Sequence, residues 1–119
     1  MKTYYVYIIE CADNTLYTGM TDDIVRRYRQ HAAKTGRCKY TRNNSRHPLK
    51  LVKCWSFPGD LSLAMRVENF IKKKTRSFKL KLINDLVDLK REIVKANSII
   101  LEIQEENIER IMCAERVST

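Results

Sequence analysis

The sequence predicts an α/β domain in which a small central antiparallel sheet of three strands is flanked by helices. The expected order is β-β-α-β-α-α, followed by a C-terminal helical tail. Three observations predict this class: an aromatic and β-branched run at residues 3–11, helical spacing of apolar residues at 64–71, and a length of 119 residues that suits one domain. Hydrophobic residues make up 44% of the chain and charged residues 31%, so a modest core can form. We expect residues 1–83 to form the main domain and residues 84–119 to form a helical extension packed on it.

The first two strands are expected to form a hairpin. Apolar side chains occupy both faces of the first strand, with Tyr5, Tyr7 and Ile9 on one face and Tyr4, Val6 and Ile8 on the other. Because both faces are apolar, this strand is expected at the centre of the sheet, covered on both sides. A turn at residues 12–15 leads into a return strand that begins at residues 16–19. A third strand is expected over residues 49–57, ended by Pro58 and Gly59.

Residues that can cap helices mark the expected helix starts. Residues 21–23 can cap a helix over residues 24–31, and either Asp60 or Ser62 can cap a second helix. A further helix is expected from about Ser77, with the apolar positions Leu82, Leu86, Leu89 and Ile93. The tail from Asn97 continues this spacing, either as an extension of that helix or as another one.

Positive charge is concentrated in two stretches of the chain. The 23 Lys and Arg residues outnumber the 14 Asp and Glu residues, which gives a net charge of +9. Residues 97–119 are acidic, with five Glu and two Arg, so residues 1–96 carry +12. The two stretches contain no acid and consist of Arg37, Lys39, Arg42, Arg46 and Lys50, and of Lys72, Lys73, Lys74, Arg76, Lys79 and Lys81. Such stretches favour a polyanion such as nucleic acid, although a solvated face or an anionic membrane surface is an alternative.

Cysteine spacing and hydropathy indicate a reduced protein without a membrane span. The four cysteines lie at positions 11, 38, 54 and 113, without the paired spacing of a zinc site. We expect small buried thiols, and a metal cluster of Cys38, His47 and Cys54 is the less favoured alternative. No apolar run approaches the roughly 20 residues that span a bilayer, and the N-terminus lacks an export pattern. We expect a cytoplasmic location, at the nucleoid if the source is bacterial, and no membrane partner.

Two tyrosine triplets and three polar residues resemble the signature of a known family. Tyr5-Val6-Tyr7, nine residues and then Tyr17-Thr18-Gly19 resemble the two motifs of the GIY-YIG endonucleases. Arg27, His31 and Glu68 stand at the spacings of that superfamily's arginine, histidine and metal-binding glutamate. The loop Lys39-Tyr40-Thr41-Arg42 and the following Pro48 resemble the small stand-alone branch of the URI or YhbQ type. The resemblance covers about residues 3–83, and it departs at Met20, where the repair-excision branch has a lysine.

The resemblance implies a metal-dependent phosphodiesterase. It implies that Glu68 binds a single Mg²⁺ or Mn²⁺ ion, that Arg27 contacts the scissile phosphate, and that Tyr7 activates water. Tyr17 or His31 would polarise Tyr7 or relay the proton, and His31 is the alternative base because it titrates closer to neutrality. The residues are compatible with these roles, because Arg27 and His31 are neighbours at i and i+4 and a lone carboxylate can hold one hydrated cation.

Each of these residues also has a structural interpretation. Strand tyrosines commonly pack in a core, Arg27 can extend a basic face, His31 can cap a helix end, and Glu68 can pair with a lysine one turn later.

The expected partner is DNA, bound through its backbone. The expected contact residues are Arg37, Lys39, Tyr40, Arg42, Arg46, Lys72, Lys73 and Lys74. A chain without an added recognition domain favours structure-selective or single-strand cleavage over site-specific cutting. The alternatives are a non-catalytic nucleic-acid-binding module and a repair adaptor that acts through the tail. The apolar stripe of the tail could cover the core, form a homodimer seam or mimic nucleic acid.

Overall fold

The computed structural model describes residues 2–33, 46–97 and 102–117. Within these residues, four strands form one antiparallel sheet in the order β2-β1-β3-β4. The strands are β1 (Lys2–Glu10), β2 (Leu16–Thr21), β3 (Lys50–Gly59) and β4 (Gln104–Glu105). The expected three strands and their order are present, but the tail adds a fourth strand. This strand is only two residues long and too polar to show a strand pattern in the sequence.

Strand β1 lies at the centre of the sheet, as its two apolar faces predicted. It pairs with β2 in the hairpin, where Tyr7 is opposite Gly19 and Ile9 is opposite Tyr17. On its other side it pairs with β3, with an irregularity after Ile8. Strand β3 continues through Pro58 and Gly59 rather than ending before them. A proline is tolerated at this position because, within the described residues, β3 pairs with β4 only at Trp55 and Ser56, which leaves one side of Pro58 as a strand edge.

Five helices are found in the described residues. They are α1 (Ile24–Ala32), α2 (Leu61–Lys72), α3 (Arg76–Ile83), α4 (Leu89–Asn97) and α5 (Ile108–Val117). The Asp23 side chain caps α1 by accepting a hydrogen bond from the Arg26 amide at 3.1 Å. Asp60 caps α2 by accepting from the Leu63 amide at 2.8 Å. Both caps fall at positions that the sequence indicated.

Helices cover both faces of the sheet and create two hydrophobic clusters. One cluster joins the even-numbered face of β1 to α2, α3 and α4, and its buried members include Val6, Ile8, Ala64, Val67, Ile71 and Leu82. The other joins the odd-numbered face to α1 and α5, and its buried members include Tyr7, Ile9, Ile24, Tyr28 and Ile111. We refer to these as the α2 face and the α1 face of the sheet. The candidate phenols therefore lie on the α1 face.

The tail differs most from expectation. The helix expected from Ser77 is two helices, α3 and α4, because the chain turns between them and Asp85 adopts a left-handed φ of 59°. Leu86 consequently lies in this turn, where it is 73% exposed instead of buried. Ile93 of α4 and Ile111 of α5 are buried in the two clusters. No helix in the described part of the chain is long and apolar enough to cross a membrane.

Candidate active site

The hairpin brings Tyr7 and Tyr17 together on the α1 face. Since Tyr7 is opposite Gly19, Tyr17 is its diagonal neighbour on β2, and the two ring centroids lie 6.4 Å apart at an angle of 48°. Gly19 leaves the space that the Tyr7 and Tyr17 rings occupy. A Cβ atom at this position would lie 2.5 Å from the Tyr7 hydroxyl oxygen and 3.0 Å from Cε2 of Tyr17. The glycine of the second triplet is therefore required by the Tyr7 ring and not by an unusual φ angle.

His31 completes an aromatic cluster with the two phenols. It lies on α1, one turn after Arg27, and its Nε2 atom is 2.8 Å from the Tyr7 hydroxyl oxygen. The His31 ring contacts both tyrosines edge-on, with centroid distances of 5.8 Å to Tyr7 and 5.3 Å to Tyr17. Tyr7 and His31 are only 1% and 2% exposed, whereas Tyr17 is half-buried. The hydrogen bond is thus held within a largely desolvated cluster.

The electrostatic environment keeps His31 neutral. Burial, followed by the positive charge of Arg27 and the proximity of His47, lowers the pKa of His31 from 6.5 to about 4. A neutral imidazole has one protonated nitrogen and one acceptor nitrogen. In the tautomer protonated at Nδ1, Nε2 accepts the hydrogen bond from the Tyr7 hydroxyl.

Arg27 lies on the same helix and is half-buried. One of its terminal nitrogens, Nη1, donates a hydrogen bond to Oε1 of Gln30 at 3.1 Å. Its charge acts on His31 strongly enough to contribute to the lowered pKa. The guanidinium therefore adds positive potential beside the aromatic cluster.

Glu68 lies in the other layer, on helix α2. Its side chain is 16% exposed, and its Oε1 atom is 3.5 Å from the Lys72 ammonium. The flank of α2 that carries Leu63 and Phe70 lines a groove with Ile93 of α4. Glu68 is on the opposite flank, while α2 itself packs over β2 and β1. Glu68 therefore lies on the flank of α2 that faces away from α4.

The structure thus places the predicted site residues in two groups. Tyr7, Tyr17 and His31 are in mutual contact, and Arg27 is one helical turn away. Glu68 is on α2, which packs against the opposite face of the sheet. The structural alternative for Glu68, an ion pair with a lysine one turn later, is present with Lys72.

The predicted nucleic-acid contacts have different environments. The Lys74 ammonium lies over the rings of Phe70 at 4.4 Å and Phe78 at 5.2 Å. Lys73 is exposed at the end of α2, and Arg46 forms an ion pair at 3.4 Å with Asp13 in the hairpin turn. Four predicted contacts lie outside the described residues, namely Arg37, Lys39, Tyr40 and Arg42.

A site with several protein ligands for a metal is not found. Across residues 2–33, 46–97 and 102–117, no three Asp, Glu, His or Cys side chains are grouped to hold an ion. Cys11 and Cys54 are buried, as expected, and burial raises the pKa of the Cys54 thiol. Cys38 lies outside the described residues, so the alternative cluster with His47 and Cys54 stays a prediction. The donor set suits a cation held by one carboxylate, with water and substrate completing its shell.

One buried ionic cluster was missed at the sequence level. Lys53 is 4% exposed, and its ammonium contacts the carboxylates of Asp85 and of Glu105, the latter at 2.8 Å. These hydrogen bonds offset the effect of burial and raise the pKa of Lys53. The alternation of Lys53, Trp55 and Phe57 along β3 could have predicted a lysine on an apolar face. Its acidic partners come from a turn and the tail, which the pattern does not indicate.

Comparisons with known proteins identify the family of this chain. Residues 3–81 match the model of the GIY-YIG catalytic domain. A UPF0213 protein of Lactiplantibacillus plantarum is 44% identical over 84 residues, covering 71% of this chain and 81% of the relative. The UPF0213 protein YhbQ of Salmonella typhimurium is 41% identical over 85 residues, with coverage of 71% and 81%. The solution NMR structure of the UPF0213 protein BH0048 from Bacillus halodurans aligns with a TM-score of 0.45 at 41% identity, covering 69% of this chain and 83% of that chain. With its two tyrosine triplets paired on one hairpin and the family match extending over residues 3–81, this chain belongs to the GIY-YIG nuclease family.

Proposed function

We propose that this protein is a divalent-metal-dependent endonuclease that hydrolyses DNA phosphodiester bonds, with a preference for single-stranded or branched DNA. The observation that carries the proposal is the buried hydrogen bond between Tyr7 and His31, 2.8 Å long, beside Tyr17 in a GIY-YIG chain. Packing alone needs neither a phenol nor an imidazole at these positions. The bond gives the phenolic proton an acceptor at 2.8 Å, and the negative charge of a bound phosphate would raise the pKa of that acceptor.

Tyr7 is the group that deprotonates the attacking water, and His31 accepts the proton of its hydroxyl. A phenol titrates near pH 10, so it needs both an acceptor and nearby positive charge to act at neutral pH. The neutral imidazole supplies the acceptor at 2.8 Å, and Arg27 supplies the charge. An approaching phosphate is negatively charged and therefore favours a proton on His31.

Arg27 and Glu68 act on the phosphate itself. The planar fork of Arg27 matches two phosphate oxygens and stabilises the charge that develops in the transition state. Glu68 is the residue that would hold Mg²⁺ or Mn²⁺, because it is the single acid of α2 and its other polar contact is an exposed lysine. When bound, the ion supplies charge neutralisation at the phosphate and at the leaving 3′ oxygen.

The proposed substrate follows from the size and charge of the domain. Phosphate contacts from lysine and arginine position DNA without reading its sequence. The matched region covers one catalytic domain, and the remaining described tail packs on that domain through Ile93 and Ile111. Backbone recognition therefore favours discrimination by DNA structure over discrimination by sequence.

The test compares cleavage of labelled single-stranded, duplex and branched DNA in Mg²⁺, in Mn²⁺ and in EDTA. We expect cutting with either metal and none in EDTA. Glu68→Gln should retain DNA binding while losing at least about a hundredfold in cleavage rate, in line with the loss of one charge-stabilising group. Tyr7→Phe should lose cleavage to a similar extent, because the phenol oxygen is removed and the ring remains.

Glu109→Gln on α5 is the matched control, because it removes an exposed acid that lies away from the α2 flank. It should cleave like the unmodified protein. Binding without cleavage in every metal would instead identify a non-catalytic DNA-binding module. Unchanged cleavage by Glu68→Gln would remove Glu68 from the mechanism.

A further inference from the structure

The exposed flank of α2 combines apolar, acidic and basic side chains in one stripe. Its four positions are Leu61, Met65, Glu68 and Lys72. At 3.6 residues per turn, these positions fall within about 60° of one another around the helix. They extend for about 16 Å along the helix axis. The metal ligand proposed above is therefore part of a longer surface.

Two members of the stripe are large apolar side chains that face solvent. Leu61 is 53% exposed and Met65 is 49% exposed. Single exposed apolar residues are common, but these two are adjacent at i and i+4 and lie next to Glu68. The opposite flank of α2 packs with Leu63 and Phe70 against the hydrophobic cluster that contains Ile93. The stripe thus offers an apolar contact beside the candidate metal ligand.

The other end of the stripe is cationic. Lys72 lies at the C-terminal end of α2. Lys79 lies on the next helix, α3, close enough to Lys72 for the two positive charges to repel each other. Lys79 is half-buried, and both burial and Lys72 lower its pKa. An anion would relieve this repulsion, because Glu68 alone cannot neutralise two ammonium groups. Phosphate has the required charge and can accept hydrogen bonds from both.

The combination points to one kind of occupant. Duplex DNA presents phosphates outward and buries the faces of its bases, so its backbone would meet Leu61 and Met65 without an apolar partner. A single strand presents phosphates and unstacked bases together. Apolar side chains, including Leu and Met, pack against unstacked bases in nucleic-acid complexes. We propose that Leu61, Met65, Lys72 and Lys79 form a binding track for one unpaired strand, with phosphates at the lysines and bases at the apolar pair. This proposal rests on the proposed function, because it concerns the substrate of the same site.

The experiment measures binding in EDTA, so that its result does not depend on cleavage. Fluorescence anisotropy compares a labelled single-stranded oligonucleotide with the duplex of the same sequence. The double variant Leu61→Ser/Met65→Ser should weaken single-strand binding by about fivefold or more, because apolar contact area is lost, and leave duplex binding unchanged. Leu86→Ser is the control, because it removes a 73% exposed leucine outside the track.

The proposed phosphate contact of Lys79 is tested through the salt dependence of binding. Lys79→Gln should reduce the slope of log affinity against log salt for the single strand by about 0.7, the value for one lost phosphate contact. Lys90→Gln on α4 should leave the slope unchanged, since this exposed lysine lies outside the track.

A footprint on the unmodified protein provides an independent measurement. The single strand should protect the exposed Met65 thioether from peroxide oxidation, whereas the duplex should not. Equal loss of single-strand and duplex binding in the double variant, or no protection of Met65, would overturn the proposal. Conversion of a dimer to a monomer by the double variant would also overturn it, because a second copy of the chain would then occupy the stripe. Loss of cleavage by Glu68→Gln with normal protection of Met65 would leave both proposals standing.

Discussion

Acidification should destabilise this protein through His31. In the folded state its pKa is lowered from 6.5 to about 4, so the folded chain binds fewer protons than the unfolded chain between these values. Stability contributed by neutral His31 is therefore present above the unfolded pKa and is lost as the pH falls toward the folded pKa. With 1.36 kcal/mol for each pKa unit, lowering the pH from about 7.5 to about 5 should cost about 2 kcal/mol in the free energy of unfolding.

Urea unfolding followed by circular dichroism at the two pH values measures this loss. The matched variant is His31→Gln, which keeps an acceptor for the Tyr7 hydroxyl but does not titrate. Its free energy of unfolding should change by less than about 0.5 kcal/mol over the same range. With the lower limit near pH 5, carboxylates whose pKa values are lowered in the folded state, such as Asp85, stay ionised and do not contribute to the measured loss. The reasoning is refuted if the unmodified protein shows no loss, or if His31→Gln shows the same loss.

Three further predictions concern packing and charge. Gly19→Ala should cost about 1–3 kcal/mol of stability and also lower cleavage, because its Cβ would lie 2.5 Å from the Tyr7 hydroxyl oxygen; thermal unfolding and the cleavage assay measure both effects. Thr18→Val should raise stability by about 1 kcal/mol in urea unfolding, because the buried Thr18 hydroxyl lacks a hydrogen-bond partner within the described residues; a marked destabilisation would contradict this. Glu105→Gln should lower the free energy of unfolding by about 1–3 kcal/mol in urea unfolding, because it leaves buried Lys53 with one carboxylate fewer. Lys53→Met should change this free energy little, because it removes the buried charge itself. Equal losses in the two variants would contradict the buried-charge argument.

The fold of the family domain could be predicted because its local patterns agree with its packing. The alternation along β1 assigned both faces correctly, and the residues before α1 and α2 provided the expected caps. The family resemblance pointed to Tyr7, Tyr17 and His31, and the hairpin and helix α1 bring their three rings together. The strand faces, the helix caps and the hairpin depend on neighbours that are close in sequence or on a short turn.

Features that depend on distant contacts were not predicted. Strand β4 has no apolar alternation, and it forms where the acidic side chain of Glu105 reaches Lys53. The break between α3 and α4 occurs at Asp85, whose left-handed backbone no periodicity reveals. The placement of Glu68 in the opposite layer follows from the direction in which α2 crosses the sheet, which spacing along the chain does not determine.

The short strand β4 has a consequence for handling this protein. Glu105 reaches Lys53, while Glu106 accepts a hydrogen bond from Ser56 at 2.8 Å and its amide donates to the Cys54 carbonyl oxygen at 2.8 Å. Together these contacts shield the outer backbone of β3 at Trp55 and Ser56. An unshielded strand of this kind recruits strands from other molecules. A shortened chain ending before residue 102 would therefore be prone to aggregate, and low activity in such a preparation would report lost solubility instead of a missing catalytic element.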